Sequence, residues 1–83
     1  MVGDKIKLED FQDLYIQTAG VDGAEKIIKQ AIAEAGLPEK KEYTKEEALK
    51  ICEVLKKKSG FIKIVANLFS ARIRLRLHHN QNK

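Results

Sequence analysis

The chain has 83 residues, of which 43% are apolar and 34% charged, with no Trp, three Phe, two Tyr and a formal net charge of +4. A chain this short makes a single domain over 1–83, burying about 60–65% of its unfolded surface around a small aliphatic core, and it gains from self-association. The lone Cys52 excludes an intrachain disulfide framework. The start MVGDKIKLED lacks the apolar run of a secretory signal, and 61–77 is too short and too rich in Lys and Arg to span a bilayer, so a soluble, cytoplasmic protein is expected.

In chain order, Leu8 to Ala19 reads as the first helix, stopped by Gly20. Leu8, Phe11, Leu14, Tyr15 and Thr18 share one face; Glu9, Asp10, Asp13 and Gln17 share the other, with the acids early in the helix where its dipole favours them. Asp22 reads as the N-cap of a second helix over 23–35, with Glu25 completing a variant capping box. Ala24, Ile27, Ile28, Ala31, Ile32 and Ala35 form its apolar stripe. Gly36 and Leu37 supply a Schellman ending, and Pro38 prevents continuation.

The linker LPEKKEY over 37–43 leads to Thr44 and Glu47, a second capping box that opens a helix over 45–58. Ala48, Leu49, Ile51, Cys52 and Leu55 point inward from it; Lys50, Glu53 and Lys57 point out. Lys56, Lys57 and Lys58 suit the negative end of its dipole. Ser59-Gly60 then forces the last helix, 61–77, to lie beside the third.

That last segment, FIKIVANLFSARIRLRL, gathers Lys63, Asn67, Ser70 and Arg74 into one narrow polar stripe and is apolar over the rest of its circumference. Arg72 and Arg76 break the pattern by projecting from the apolar side. The fold class expected is therefore all-α: a compact four-helix domain with a largely buried C-terminal helix, and 78–83 as a disordered tail. A competing pattern is the strict alternation of RIRLRL over 72–77 and of KIKL over 5–8, which gives the alternative of three helices plus a short β-ribbon made by the two ends of the chain.

Charge is unevenly placed. Up to Glu53 eight Lys stand against twelve Asp and Glu, a balance of −4; beyond it eight Lys and Arg stand against none, a balance of +8. Such asymmetry points to a polyanionic partner or to an acidic half folded onto a basic one. Catalysis is poorly supported, since the chain has no glycine-rich phosphate loop, no HExxH and no nucleophile elbow. His78 and His79 are adjacent and diverge, so they do not converge on a metal. Cys52 reads as a buried inert thiol. No cofactor is expected.

The function expected is a non-enzymatic binding module whose basic C-terminal segment engages nucleic acid. Lys63, Asn67, Arg72, Arg74 and Arg76 supply the contacts, and Lys56, Lys57 and Lys58 supply diffuse attraction. A homodimer is expected, because a second copy would cover the wide apolar arc. The alternative is a protein–protein interaction or self-assembly subunit without a nucleic-acid role, its charges satisfied internally or by an acidic protein. A membrane surface is a poorer fit, because the bases do not gather on one broad face.

Overall fold

A computed structural model of the chain describes the backbone of residues 5–82 and the side chains of residues 5–75. In chain order the elements are β1 (Ile6–Lys7), α1 (Leu8–Glu34), β2 (Glu42–Tyr43), α2 (Lys45–Lys56) and α3 (Phe61–Asn82). The four-helix expectation is thereby corrected to three helices and a two-stranded antiparallel sheet.

The segments expected as separate helices over 8–19 and 23–35 form the single element α1, kinked at Gly20. That residue, at φ 80° and ψ 170°, is the one non-helical position inside it. This backbone region is open essentially to glycine alone, so one residue is enough to redirect the chain, and the helix resumes at once. Asp22 accordingly lies inside the resumed helix and is not its N-cap. The expected stripe is realised, with Ala24, Ile28, Ala31 and Ile32 buried and Ile27 and Ala35 packed against them. Its ending is the Schellman motif: Gly36 has φ 77°. Leu37 N donates to Ile32 O at 3.1 Å, and Gly36 N donates to Ala33 O at 3.0 Å.

A ribbon exists, but the strand that pairs with the N-terminal segment comes from the linker and not from the C-terminal end of the chain. Ile6 pairs with Tyr43 and Lys7 with Glu42, antiparallel, and Leu8 N donates to Lys41 O at 2.8 Å. The RIRLRL segment is helical instead. No Gly or Pro breaks the chain there, and helical spacing drives Ile73 into the core behind Phe69. Tyr43 explains why the partner strand lies at 42–43. Its ring is fully buried, and its hydroxyl donates to Pro38 O at 3.0 Å while accepting from Lys40 N at 2.9 Å. The linker thus folds around one aromatic side chain.

α2 opens on the expected capping box: Glu47 N donates to Thr44 Oγ1 at 3.1 Å, and Thr44 N donates to Glu47 Oε1 at 3.0 Å. Ala48, Ile51, Cys52 and Leu55 are fully buried from it. The helix ends at Lys56, two residues before the expected limit.

α2 and α3 make the most extensive contact in the molecule. The first half of α1 closes over them, with Phe11 edge-on to Phe69 at 5.0 Å between ring centres and Tyr15 Oη donating to Ile62 O at 2.9 Å.

α3 is not the largely buried rod expected. Ala66, Phe69, Ser70 and Ile73 are buried, at the i, i+3, i+4, i+7 spacing of a single face. Two small neighbours, α2 and half of α1, cover that face and no more.

Candidate interaction surface on the last helix

At about 100° per residue, the circumference of α3 divides into three sectors over residues 61–75. The first, containing Ile62, Val65, Ala66, Phe69, Ser70 and Ile73, faces α1 and α2. The second is polar and exposed: Lys63, Asn67 and Arg74, lying within about 40° of one another. The third is apolar and also exposed. Ile64, Leu68 and Leu75 are 60%, 63% and 64% accessible, and the exposed Ala71 sits among them. Phe61, with its ring 6.0 Å from that of Tyr15, is the edge of this sector nearest α1.

The residues proposed from sequence to bind a polyanion do not form one patch. Lys63, Asn67 and Arg74 are brought together. Ser70, expected beside them, is buried and donates to Asn67 O at 3.1 Å, so it leaves the exposed stripe; its hydroxyl satisfies itself on the preceding turn and tolerates burial.

Arg72 turns the other way, into an open recess of about 360 Å³ lined by Asp10, Asp13, Leu14 and Phe69. The acidic face of α1 is therefore the neighbour of one of the C-terminal arginines. The side chain of Arg76, like His78, His79 and the tail expected over 78–83, lies outside the described side chains.

The three lysines of 56–58 are also divided. Lys56 Nζ lies 3.4 Å from a Glu53 carboxylate oxygen and Lys58 Nζ lies 3.1 Å from one of Glu34. Lys57, the C-cap residue of α2, is exposed. Acids of the same chain thus take up two of the three charges expected to attract a partner.

From sequence, the apolar arc is too wide for two small neighbours and a second copy is expected to cover it, but the residues of this third sector are not singled out as the ones left outside. A signal for it was present. Phe61, Ile64, Leu68, Ala71 and Leu75 recur at alternating intervals of three and four, the repeat of a helix–helix seam. A second series, Ile62, Val65, Ala66, Phe69 and Ile73, serves the internal core.

Titratable groups here are structural. Burial pushes the Cys52 thiol up to about 11 and the Tyr15 phenol up to about 12. Neither is an activated nucleophile, because a reactive thiol needs its pKa lowered. Glu47 is held below the usual carboxylate range, first by the Thr44 backbone N–H and then by Lys40. Among the described residues no group of three His, Cys, Asp or Glu is placed to hold a metal ion, and no helix is long and apolar enough to cross a membrane. A second open recess, of about 370 Å³, lies beside the ribbon between Leu8 and Glu42. No protein-family model, curated protein or solved structure matches the chain.

Proposed function

We propose that the protein is a non-enzymatic association module that receives another helix on the outer face of α3. The observation that carries this reading is the joint exposure of Ile64, Leu68 and Leu75, each at 60% or more, in one stripe at seam spacing. Scattered exposed leucines need no explanation, but a contiguous row along a helix marks a docking surface. Leaving it in water forfeits roughly 1–2 kcal/mol of transfer free energy for each large aliphatic side chain that a partner would cover, since each is already partly shielded.

The test is a selection of displayed helical peptides against the full chain. Binders are expected to carry Leu or Ile at intervals of three and four and to lose binding to Leu68→Glu, while that variant keeps the parent's melting temperature. If no helical binder emerges, or the binders ignore Leu68→Glu, the reading is wrong.

A second reading, nucleic-acid binding, draws on Lys63, Asn67 and Arg74, which project together and can reach neighbouring phosphates. Lys63→Ala and Arg74→Ala would each flatten the slope of log affinity against log salt by roughly one unit. An absence of duplex or single-strand binding at low salt removes it.

A further inference from the structure

We infer that the helix received by α3 is the α3 of a second copy, running antiparallel, with Ile64 of each chain against Leu75 of the other and Leu68 against Ala71. This inference rests on the association reading above and adds the identity and direction of the partner.

The self-match begins with the spacing. In an antiparallel pair, residues of the two seam series alternate in opposed layers, and the register that sets Ile64 opposite Leu75 also sets Leu68 opposite Ala71. Each large side chain of the centre then meets the small Ala71, the alternation of large and small that lets helices interdigitate. The same register repeats by symmetry from the other end, as an isologous two-fold contact requires.

Charge decides the direction. The positions flanking the seam are Val65 and Arg72 on one edge, and Asn67 and Arg74 on the other. Both arginines are toward the C-terminal end and both neutral residues toward the N-terminal end. A parallel pair would gather Arg72 and Arg74 of both chains around a single turn, four guanidinium groups against one another. The antiparallel pair sets Asn67 beside Arg74 of the partner and Val65 beside Arg72 of the partner, so no like charges meet. An acidic helix from another protein is a poorer occupant, because Val65 and Asn67 offer its carboxylates nothing along half the seam. Arg72 already shares a recess with Asp10 and Asp13 of its own chain.

Size sets the strength. The seam from Ile64 to Leu75 is about 17 Å long, which places the contact at the low end of interface areas, below about 1,200 Å² in total. A small apolar contact of this kind is expected to give a weak, reversible dimer, with a dissociation constant on the order of 10–100 µM.

Two measurements on the full chain test this. Sedimentation equilibrium should give a monomer–dimer equilibrium in that range, weakened at least about tenfold by Leu68→Glu. Chains carrying Ile64→Cys are then mixed under mild oxidation with tagged chains carrying Leu75→Cys. Cys52 stays in place, since it is fully buried and its substitution would disturb the core. The expected product is the mixed 64–75 disulfide, with each variant alone giving little cross-link.

Self-cross-linking of each variant alone, at the expense of the mixed product, would show a parallel pair and overturn the inference. A chain that stays monomeric at millimolar concentration would overturn it too, while leaving the association reading to the peptide selection. A dimer indifferent to Leu68→Glu would place the contact elsewhere and sink both.

Discussion

Tyr15 and Tyr43 each bury a ring completely and keep the hydroxyl bonded to a main-chain oxygen outside the reach of regular sheet pairing. Tyr43→Phe removes one oxygen that both donates to Pro38 O and accepts from Lys40 N, so two backbone groups lose a partner at once. It should lower stability by about 1–3 kcal/mol, read as a shift of the urea midpoint at unchanged slope. Tyr15→Phe loses a single bond to Ile62 O and should cost about 0.5–1.5 kcal/mol in the same assay.

The buried thiol and phenol give the fold a weakness at high pH. In the unfolded chain Cys52 and Tyr15 ionise near 9 and 10, whereas folded they hold their protons to about 11 and about 12. Above pH 9 the unfolded state therefore binds fewer protons than the native one, and stability falls as pH rises. Urea midpoints should be level from pH 7 to about 9 and decline beyond, with a shallower decline in Tyr15→Phe. A midpoint unchanged at pH 10.5 (about 1.5 units above the free thiol's value) would contradict the burial of both groups.

At the scale of the element, the kink in α1 hangs on one residue. A Cβ at Gly20 would meet no atom within 4 Å, so space is available, but φ 80° with ψ 170° is closed to L side chains. Gly20→Ala is expected to destabilise by about 1–3 kcal/mol through backbone strain alone, measured by thermal or urea unfolding. A neutral substitution would mean that the two halves of α1 can join in another way.

Local chemistry made much of this architecture legible in the sequence. The Gly36–Leu37 ending, the Thr44–Glu47 box and the stripe from Ala24 to Ala35 each rest on neighbours a few residues apart, and each is in place. Of the short ribbon, the alternation over 5–8 marked the strand at Ile6–Lys7; its partner was not legible, because it is two residues long and its anchor, Tyr43, depends on the course of Pro38 to Lys40. On α3 the exposed polar line of Lys63, Asn67 and Arg74 could be read from spacing. The division of its apolar residues into an inner and an outer series could not, because the arc that α1 and α2 cover is a tertiary fact. Ser70 was misplaced for the same reason, since a hydroxyl that bonds its own helix carries no outward mark of polarity.

For the molecule as a whole, the two proposed surfaces of α3 lie side by side and respond to salt in opposite senses. A polyanion on Lys63, Asn67 and Arg74 is held by phosphate contacts whose affinity falls steeply as counterions compete. The Ile64, Leu68, Ala71 and Leu75 seam is apolar, and the charges of α3 that flank it, Arg72 and Arg74, are positive. Added salt therefore screens residual repulsion between arginines of the two copies and removes no attraction. Raising sodium chloride from about 50 mM to about 500 mM, where the screening length drops from roughly 14 Å to about 4 Å, should leave the dimerisation constant unchanged or tighten it up to a few-fold. Sedimentation at the two salt concentrations reads this directly. A dimer weakened tenfold at high salt would be an ionic contact, built from the acidic face of α1 against the basic end of α3, and the apolar seam would then be bystander surface. Arg74→Gln separates the two outcomes further. It removes a charge that the apolar seam does not use and so leaves an apolar dimer intact, whereas it deprives an ionic one of a charge and weakens it.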